Sequence, residues 1–148
     1  NAQINAANIG YHTMNKYRNI DCAIINETEL RHELRDRDSS VEILMKELAN
    51  TLQVQHLVVT QGNGGATLYD TESKHYHHCP AFAAKVVDKI GAGDAMLALL
   101  SCALKSGFNP NLALFLGSLA AAQSVETIGN SISVNKIQLI KAFSHAVK

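Results

Sequence analysis

Gly91-Ala92-Gly93-Asp94 stands directly before the apolar stretch Ala95-Met96-Leu97-Ala98-Leu99-Leu100. With so little side-chain bulk, three successive peptide N–H groups can approach a ligand closely. The apolar stretch reads as a helix, so its first turn adds unpaired N–H groups and the positive end of the helix dipole. A carboxylate beside such a turn can remove a proton while the amides hold the charge that develops elsewhere. Asp94 as base, with the Gly91, Ala92 and Gly93 amides as anion hole, describes phosphoryl transfer. Taken alone, the same residues would serve equally well as a tightly packed helix start.

Two other clusters fit the same chemistry. Asn26 and Glu29 are spaced i, i+3 where an apolar run gives way to a helix. That spacing aims both polar groups at the carboxyl edge of a sheet, where open α/β folds bind ligands. Thr60, Gly62 and Gly65 close another apolar run with a hydroxyl and a glycine-rich turn, able to offer backbone N–H groups to phosphates. Neither glycine cluster is a dinucleotide fingerprint, because Met96 and Thr67 stand where the third glycine is required. Neither carries the Gly-Lys-Ser/Thr of a P-loop.

In this order, the stretches resemble the signatures of the ribokinase-like (PfkB) carbohydrate kinases. Asp88-Lys89-Ile90-Gly91-Ala92-Gly93-Asp94 is similar to the family's Asp-Thr-x-Gly-Ala-Gly-Asp, and Asn26-Glu27-Thr28-Glu29 to its Asn-x-x-Glu. Val58-Val59-Thr60-Gln61-Gly62-Asn63-Gly64-Gly65-Ala66 resembles its strand ending in Thr-x-Gly-x-x-Gly. Leu119-Ala120-Ala121-Ala122-Gln123-Ser124-Val125, followed by Gly129, resembles its late alanine-rich helix and nucleotide loop.

The resemblance implies a ribokinase-like three-layer α/β sandwich with a mainly parallel sheet, of which this chain would be the C-terminal, nucleotide-binding half. It implies ATP-dependent phosphorylation of a sugar or sugar-phosphate hydroxyl, with ATP and Mg²⁺ as cofactors. Asn26 and Glu29 would help to hold the magnesium and its water shell, since Mg²⁺ prefers oxygen ligands and keeps several waters. Asp88 and Ile90 fall where relatives bind a monovalent cation such as K⁺ through a carboxylate and a backbone carbonyl. Thr60, Gly62 and Gly65 would meet nucleotide phosphates. Ala120, Ala121 and Gln123 would be packing residues, the small side chains among them leaving room for adenine, with Ala120 the nucleotide-binding position, and Gly129, in the loop of residues 127–133, would line the adenine pocket.

Two positions depart from the family pattern. Lys89 replaces the usual Thr, either as solvated surface or as a further cation near the phosphates, and Met96 replaces a common Phe. Asn5-Ala6-Ala7-Asn8-x-Gly10, with Asn15-Lys16-Tyr17, further resembles kinases fused to a nucleotidyltransferase, as in the heptose-phosphate kinases of ADP-heptose synthesis. The competing reading is a nucleotide-binding or regulatory module without catalysis, which Lys89 and an absent sugar half favour. Asp94 and its glycines favour an enzyme.

The elements that must position these groups follow from apolar periodicity. Cys22-Ala23-Ile24-Ile25 and His56-Leu57-Val58-Val59-Thr60 read as buried strands. Residues 66–69 and 75–78 read as a hairpin across Asp70-Thr71-Glu72-Ser73. A short helix is expected around Tyr11, Met14 and Tyr17, one capped by Thr28 running to about residue 35, and one over 40–52 capped by Ser39 or Ser40. Further helices are expected at 92–106, 111–125 and 135–147, broken at Gly107…Pro110 and Gly129-Asn130. Strands alternating with helices indicate an α/β sheet covered by helices.

Bulk composition narrows the field. The 148 residues are 47% apolar, enough for a real core in one domain. Zero formal charge and the absence of a basic run argue against nucleic acid as a partner. No apolar stretch approaches the ~20 residues that span a bilayer, so no membrane partner is expected. Neither a charged n-region nor an apolar h-region opens the sequence, and the three cysteines form no CxxC pair, so a cytoplasmic location is expected. In His75-Tyr76-His77-His78 only two imidazoles share a strand face, which favours a solvated strand over a metal site. Residue 1 is not Met and aligns about halfway along a family member, so residues 1–148 are expected to form a single partial domain. Such a truncated sheet would expose a strand edge and an apolar face, inviting a homo-oligomer. Catalysis by the isolated chain is not expected, because positioning the sugar supplies much of the rate.

Overall fold

A computed structural model describes residues 13–128 and 133–146. Its elements run β1 (Cys22–Asn26), α1 (Glu27–Leu34), α2 (Val41–Leu52), β2 (His56–Thr60), β3 (Ala66–Asp70), β4 (His75–Cys79), α3 (Ala92–Lys105), α4 (Pro110–Val125) and α5 (Lys136–Ala146). The expected short N-terminal helix is a single 3₁₀ turn at Met14–Lys16. Tyr11, and the stretch Asn5 to Gly10 with its transferase-fusion resemblance, lie outside the described residues.

The strands lie side by side in chain order, β1-β2-β3-β4. β1 and β2 are parallel, while β2 with β3 and β3 with β4 are antiparallel. The sheet is therefore mixed. Among the described residues the expected parallel pairing is confined to β1 and β2, because the tight connections on either side of β3 can join only antiparallel strands.

Alternation along each strand divides the apolar residues into two layers. Ala23 and Ile25 of β1, Leu57 and Val59 of β2 and Tyr69 of β3 pack with Leu30, Leu44, Met45, Leu48 and Leu52 of α1 and α2. Ile24, Val58, Ala66 and Leu68 point the other way, onto Met96, Leu100, Ala113 and Leu114 of α3 and α4. Helices cover both faces, which is why β1 and β2 read as continuous apolar runs rather than alternating ones. The result is a three-layer α/β/α sandwich.

α3 and α4 pack closely through Gly117, where a Cβ would lie 2.9 Å from the Leu100 Cβ and 3.1 Å from the Met96 Cγ. Met96, at the position where a Phe is common in relatives, is buried in that contact. One local expectation is corrected. α1 starts at Glu27, with Asn26 rather than Thr28 as its cap. Of the two caps expected for α2, Ser40 is the one used, its side chain accepting from the Ile43 N–H.

Candidate active site

The parallel register pairs Asn26 with Thr60, so β1 and β2 end level with each other. Everything just beyond those two residues is thereby delivered to one place. An open cleft of about 1280 Å³ lies there, bordered by the starts of α1 and α3, the glycine turn after β2 and the chain after β4. It brings together Asn26, Glu29, Thr60, Gly62, Gly65, Ile90, Gly91, Ala92, Gly93 and Asp94, residues separated by up to 68 positions in the chain. Lys89 also lines it and is exposed, so its cation lies beside the turn.

Each wall has a local cause. Gly91 adopts φ +80° at the N-cap of α3 and contributes no capping side chain. Asp94 occupies the first turn of that helix. The bend before it is held from two sides. Asp88 Oδ1 accepts from the Ile90 N–H at 3.0 Å, and the N–H groups of Val87 and Asp88 donate to the Val125 carbonyl at 2.7 and 3.1 Å. Asp88 thus braces the bend without lining the cleft, and Ile90 exposes 67% of its surface. The glycine turn is a 3₁₀ turn at Gly62–Gly64. Gly65, at φ +85°, passes so close to β4 that a Cβ would lie 2.1 Å from the Cys79 carbonyl oxygen.

Asn26 and Glu29 have a structural task as well as a place on the wall. Asn26 Oδ1 accepts from the Glu29 N–H at 2.8 Å, and Glu29 Oε2 accepts from the Asn26 N–H at 3.1 Å. This reciprocal capping box satisfies two amides at the start of α1.

Ala120 is corrected: it is fully buried and does not reach the cleft. Its helix neighbours Ala121 and Ala122, with Ser118 and Val125, form that wall. Gln123 packs elsewhere, its Oε1 accepting from the Asn135 N–H at 2.9 Å. Gly129 lies outside the described residues.

Sequence reasoning passed over a polar network at the mouth of the cleft. Glu27 Oε1 accepts from Arg31 Nη2 at 2.8 Å and Nε at 3.0 Å, while its Oε2 accepts from Gln61 Nε2 at 3.1 Å. The Arg31 bonds, and then the Gln61 bond, hold the Glu27 carboxyl below the usual carboxylate range despite partial burial. The i, i+4 spacing of Glu27 and Arg31 was a visible signal for half of it. The link to Gln61 depends on strand register.

The cysteines are free thiols, and burial pushes Cys22 up to about 12. No helix among the described residues is long and apolar enough to cross a membrane. Among those residues no group of three or more His, Cys, Asp or Glu converges, His75, His77 and His78 included.

The pfkB family carbohydrate kinase model matches residues 10–137. The chain belongs to that family. It is 33% identical over 127 residues to a bifunctional protein HldE of Magnetococcus marinus, covering 83% of this chain and 26% of that protein. A ribokinase of Thermotoga maritima superposes with a TM-score of 0.70 at 29% identity, over 84% of this chain and 42% of that one. A ribokinase of Arabidopsis thaliana, solved with ribose and ATP, superposes with a TM-score of 0.69 at 25% identity, over 82% of this chain and 40% of that one. The sandwich is thus ribokinase-like, and the chain spans between about a quarter and two fifths of the length of these relatives.

A pfkB-type kinase uses ATP and a metal, and the residues present can be tested against both. A helix start without a side-chain cap and a glycine turn border one cleft, the backbone type that polyphosphate requires, although the Gly64 and Gly65 N–H groups donate within the turn and that of Ala92 to the Lys89 carbonyl at 3.4 Å. For magnesium, Asn26 and Glu29 supply oxygens on the same wall but no all-protein cage. That fits an ion which keeps its waters and is bound chiefly through substrate phosphates.

Proposed function

We propose that the protein carrying this chain transfers the γ-phosphoryl group of ATP to a hydroxyl of a sugar or sugar phosphate. The observation that carries this reading is the single cleft uniting Gly91, Ala92, Gly93 and Asp94 with the glycine turn and the start of α1. Asp94 accepts the hydroxyl proton as that oxygen forms its bond to the γ-phosphorus. The bond from the γ-phosphorus to the bridging oxygen breaks, and ADP leaves. The amides of Gly91, Ala92 and Gly93 stabilise charge on the equatorial oxygens, where phosphoryl transfer needs it.

Thr60, Gly62 and Gly65 orient the nucleotide phosphates, with Ala121 and Ala122 beside the base. Asn26 and Glu29 would hold a hydrated magnesium ion, which supplies charge neutralisation on the phosphates. Asp88 and the Ile90 carbonyl are the proposed contacts for a monovalent cation. Sugar positioning falls to parts of the protein beyond this chain, so the isolated chain is proposed to be inactive.

A second reading of the acceptor, a heptose phosphate, is favoured by the 33% identity to a bifunctional protein HldE together with the N-terminal resemblance. The test is ATP turnover by the full-length protein against a panel of sugars and sugar phosphates. We expect one class to support turnover and Asp94→Asn to abolish most of it. Near-wild-type turnover in that variant would remove Asp94 from the mechanism, and no ATP-dependent product with any acceptor would sink the kinase reading.

A further inference from the structure

The network at the cleft mouth links elements that are distant in sequence. Asn26 and Thr60 are register partners, so Glu27 and Gln61 are the first residues beyond a level pair of strand ends. Gln61 brackets the glycine turn through its backbone: its N–H donates to the Gly65 carbonyl at 2.8 Å, and its carbonyl accepts from the Gly64 N–H at 3.0 Å. Its side chain is held at both ends. Nε2 donates to Glu27 Oε2 at 3.1 Å, and Oε1 accepts from Thr67 Oγ1 at 3.3 Å.

Because the single Thr67 hydroxyl proton goes to Gln61, the 3.3 Å contact between Thr67 Oγ1 and His78 Nδ1 requires the hydrogen on the imidazole. At the other end Arg31 donates to Glu27 and, through Nη1, to the carbonyls of Arg37 and Ser39, both at 3.0 Å. The line Ser39–Arg31–Glu27–Gln61–Thr67–His78 therefore ties the loop before α2, the start of α1, the glycine turn and the β3–β4 hairpin together.

A turn with glycine at 62, 64 and 65 has little stiffness of its own, since glycine carries the largest backbone entropy. Gly65 is seated against Cys79 and Pro80, but Gly62, at φ +57°, has nothing within 4 Å of the place where a Cβ would be, so no packing holds that end of the turn. Something outside the turn must fix it if its amides are to meet phosphate oxygens without an ordering cost at binding. Gln61 is the residue that does so, and the Glu27 carboxylate, itself locked by Arg31, sets the Gln61 rotamer.

We propose that Glu27, acting through Gln61, is a positioning residue that presets the glycine turn for the polyphosphate of a nucleoside triphosphate. The proposal rests on the kinase reading for its ligand, but not for its effect on the turn. Glu27→Gln keeps an acceptor for the Gln61 amide, whereas Glu27→Ala and Gln61→Ala break the link.

Two measurements on the full-length protein test it. In the unliganded state, amide hydrogen exchange at Gly64 and Gly65 should quicken by about tenfold in both alanine variants, with the α4 amides unchanged as a check on folding. The Kd for ATP should rise by about tenfold in Glu27→Ala, with kcat at saturating ATP within about twofold and with Glu27→Gln largely rescued. Because both residues act through one link, Glu27→Ala/Gln61→Ala should be no worse than the worse single variant. Unchanged exchange and ATP affinity in the alanine variants, or full additivity in the double variant, would overturn the proposal. Failure of the wild type to bind ATP would instead overturn the kinase reading, and would be seen before any variant is examined.

Discussion

Two helix starts line the same cleft and dispose of their first-turn amides in different ways. α1 closes on itself, Asn26 and Glu29 exchanging hydrogen bonds with each other's backbone. α3 begins at Gly91, which has no side chain to cap anything. The starts of α2 and α4 follow the first pattern, capped by Ser40 and Asn109. A capped start contributes stability to the apo protein, whereas an uncapped one forgoes that contribution and leaves donors for a ligand. The difference lies in the amides of the two helix starts: α1 satisfies its own through a capping box, and α3 has no side chain that does so.

The sharpest way to break that comparison is Asp94→Asn. In the full-length protein, kcat should fall by at least ~10²-fold, the usual scale of general-base catalysis, with little change in melting temperature. A fall confined to stability would make the α3 start a structural feature like the α1 start.

Gly91→Ala probes the same helix from the backbone. The φ of +80° should cost about 1–2 kcal/mol in stability, read by chemical denaturation, and weaken ATP binding as the bend shifts. Asn26→Ala is the matched change at α1. Loss of the cap should cost ~1 kcal/mol of stability, and loss of the proposed magnesium contact should raise the magnesium concentration needed for turnover. A loss of stability with an unchanged magnesium requirement would make Asn26 a cap alone and remove it from the metal.

Acid offers the mildest probe. The Glu27 carboxyl is held below its ordinary value of 4.5 by Arg31 and Gln61, so its bonds stabilise the fold above the unfolded-state value and are lost as pH falls through the depressed one. The Glu27 contribution to melting temperature should therefore be constant from neutral pH to about pH 5. Below that the melting temperature should decline, and Glu27→Gln should flatten part of the decline. An identical acid limb in the variant would show that Glu27 does not stabilise the start of α1.

Much of this arrangement was legible in residue order. β2 lies where its apolar run placed it, from His56 to Thr60, and α4 spans Pro110–Val125 against an expected 111–125. Those signals are local: capping, turn chemistry and apolar runs act over a few residues. The cap of α1 was misplaced by two residues because Asn26 was read as a strand end and ligand, and a capping box uses the same residue types as a metal contact. Ala120 was assigned to the nucleotide wall because an alanine-rich helix looks alike on all sides. Its facing could be settled only by the packing of α4 on β3, β4 and α3.

The amino-acid sequence by itself determined the chemistry at hand: a base beside a glycine turn, a second glycine turn after a strand, and the family to which both belong. Only the tertiary structure decided that these groups meet in one cleft, that Ala121 and Ala122 rather than Ala120 face it, and that Gln61 bridges to Glu27. The reason is geometric. Residue types fix what a group can do within its own turn of chain, but the level ends of β1 and β2 exist only once two strands 34 residues apart have paired in one register.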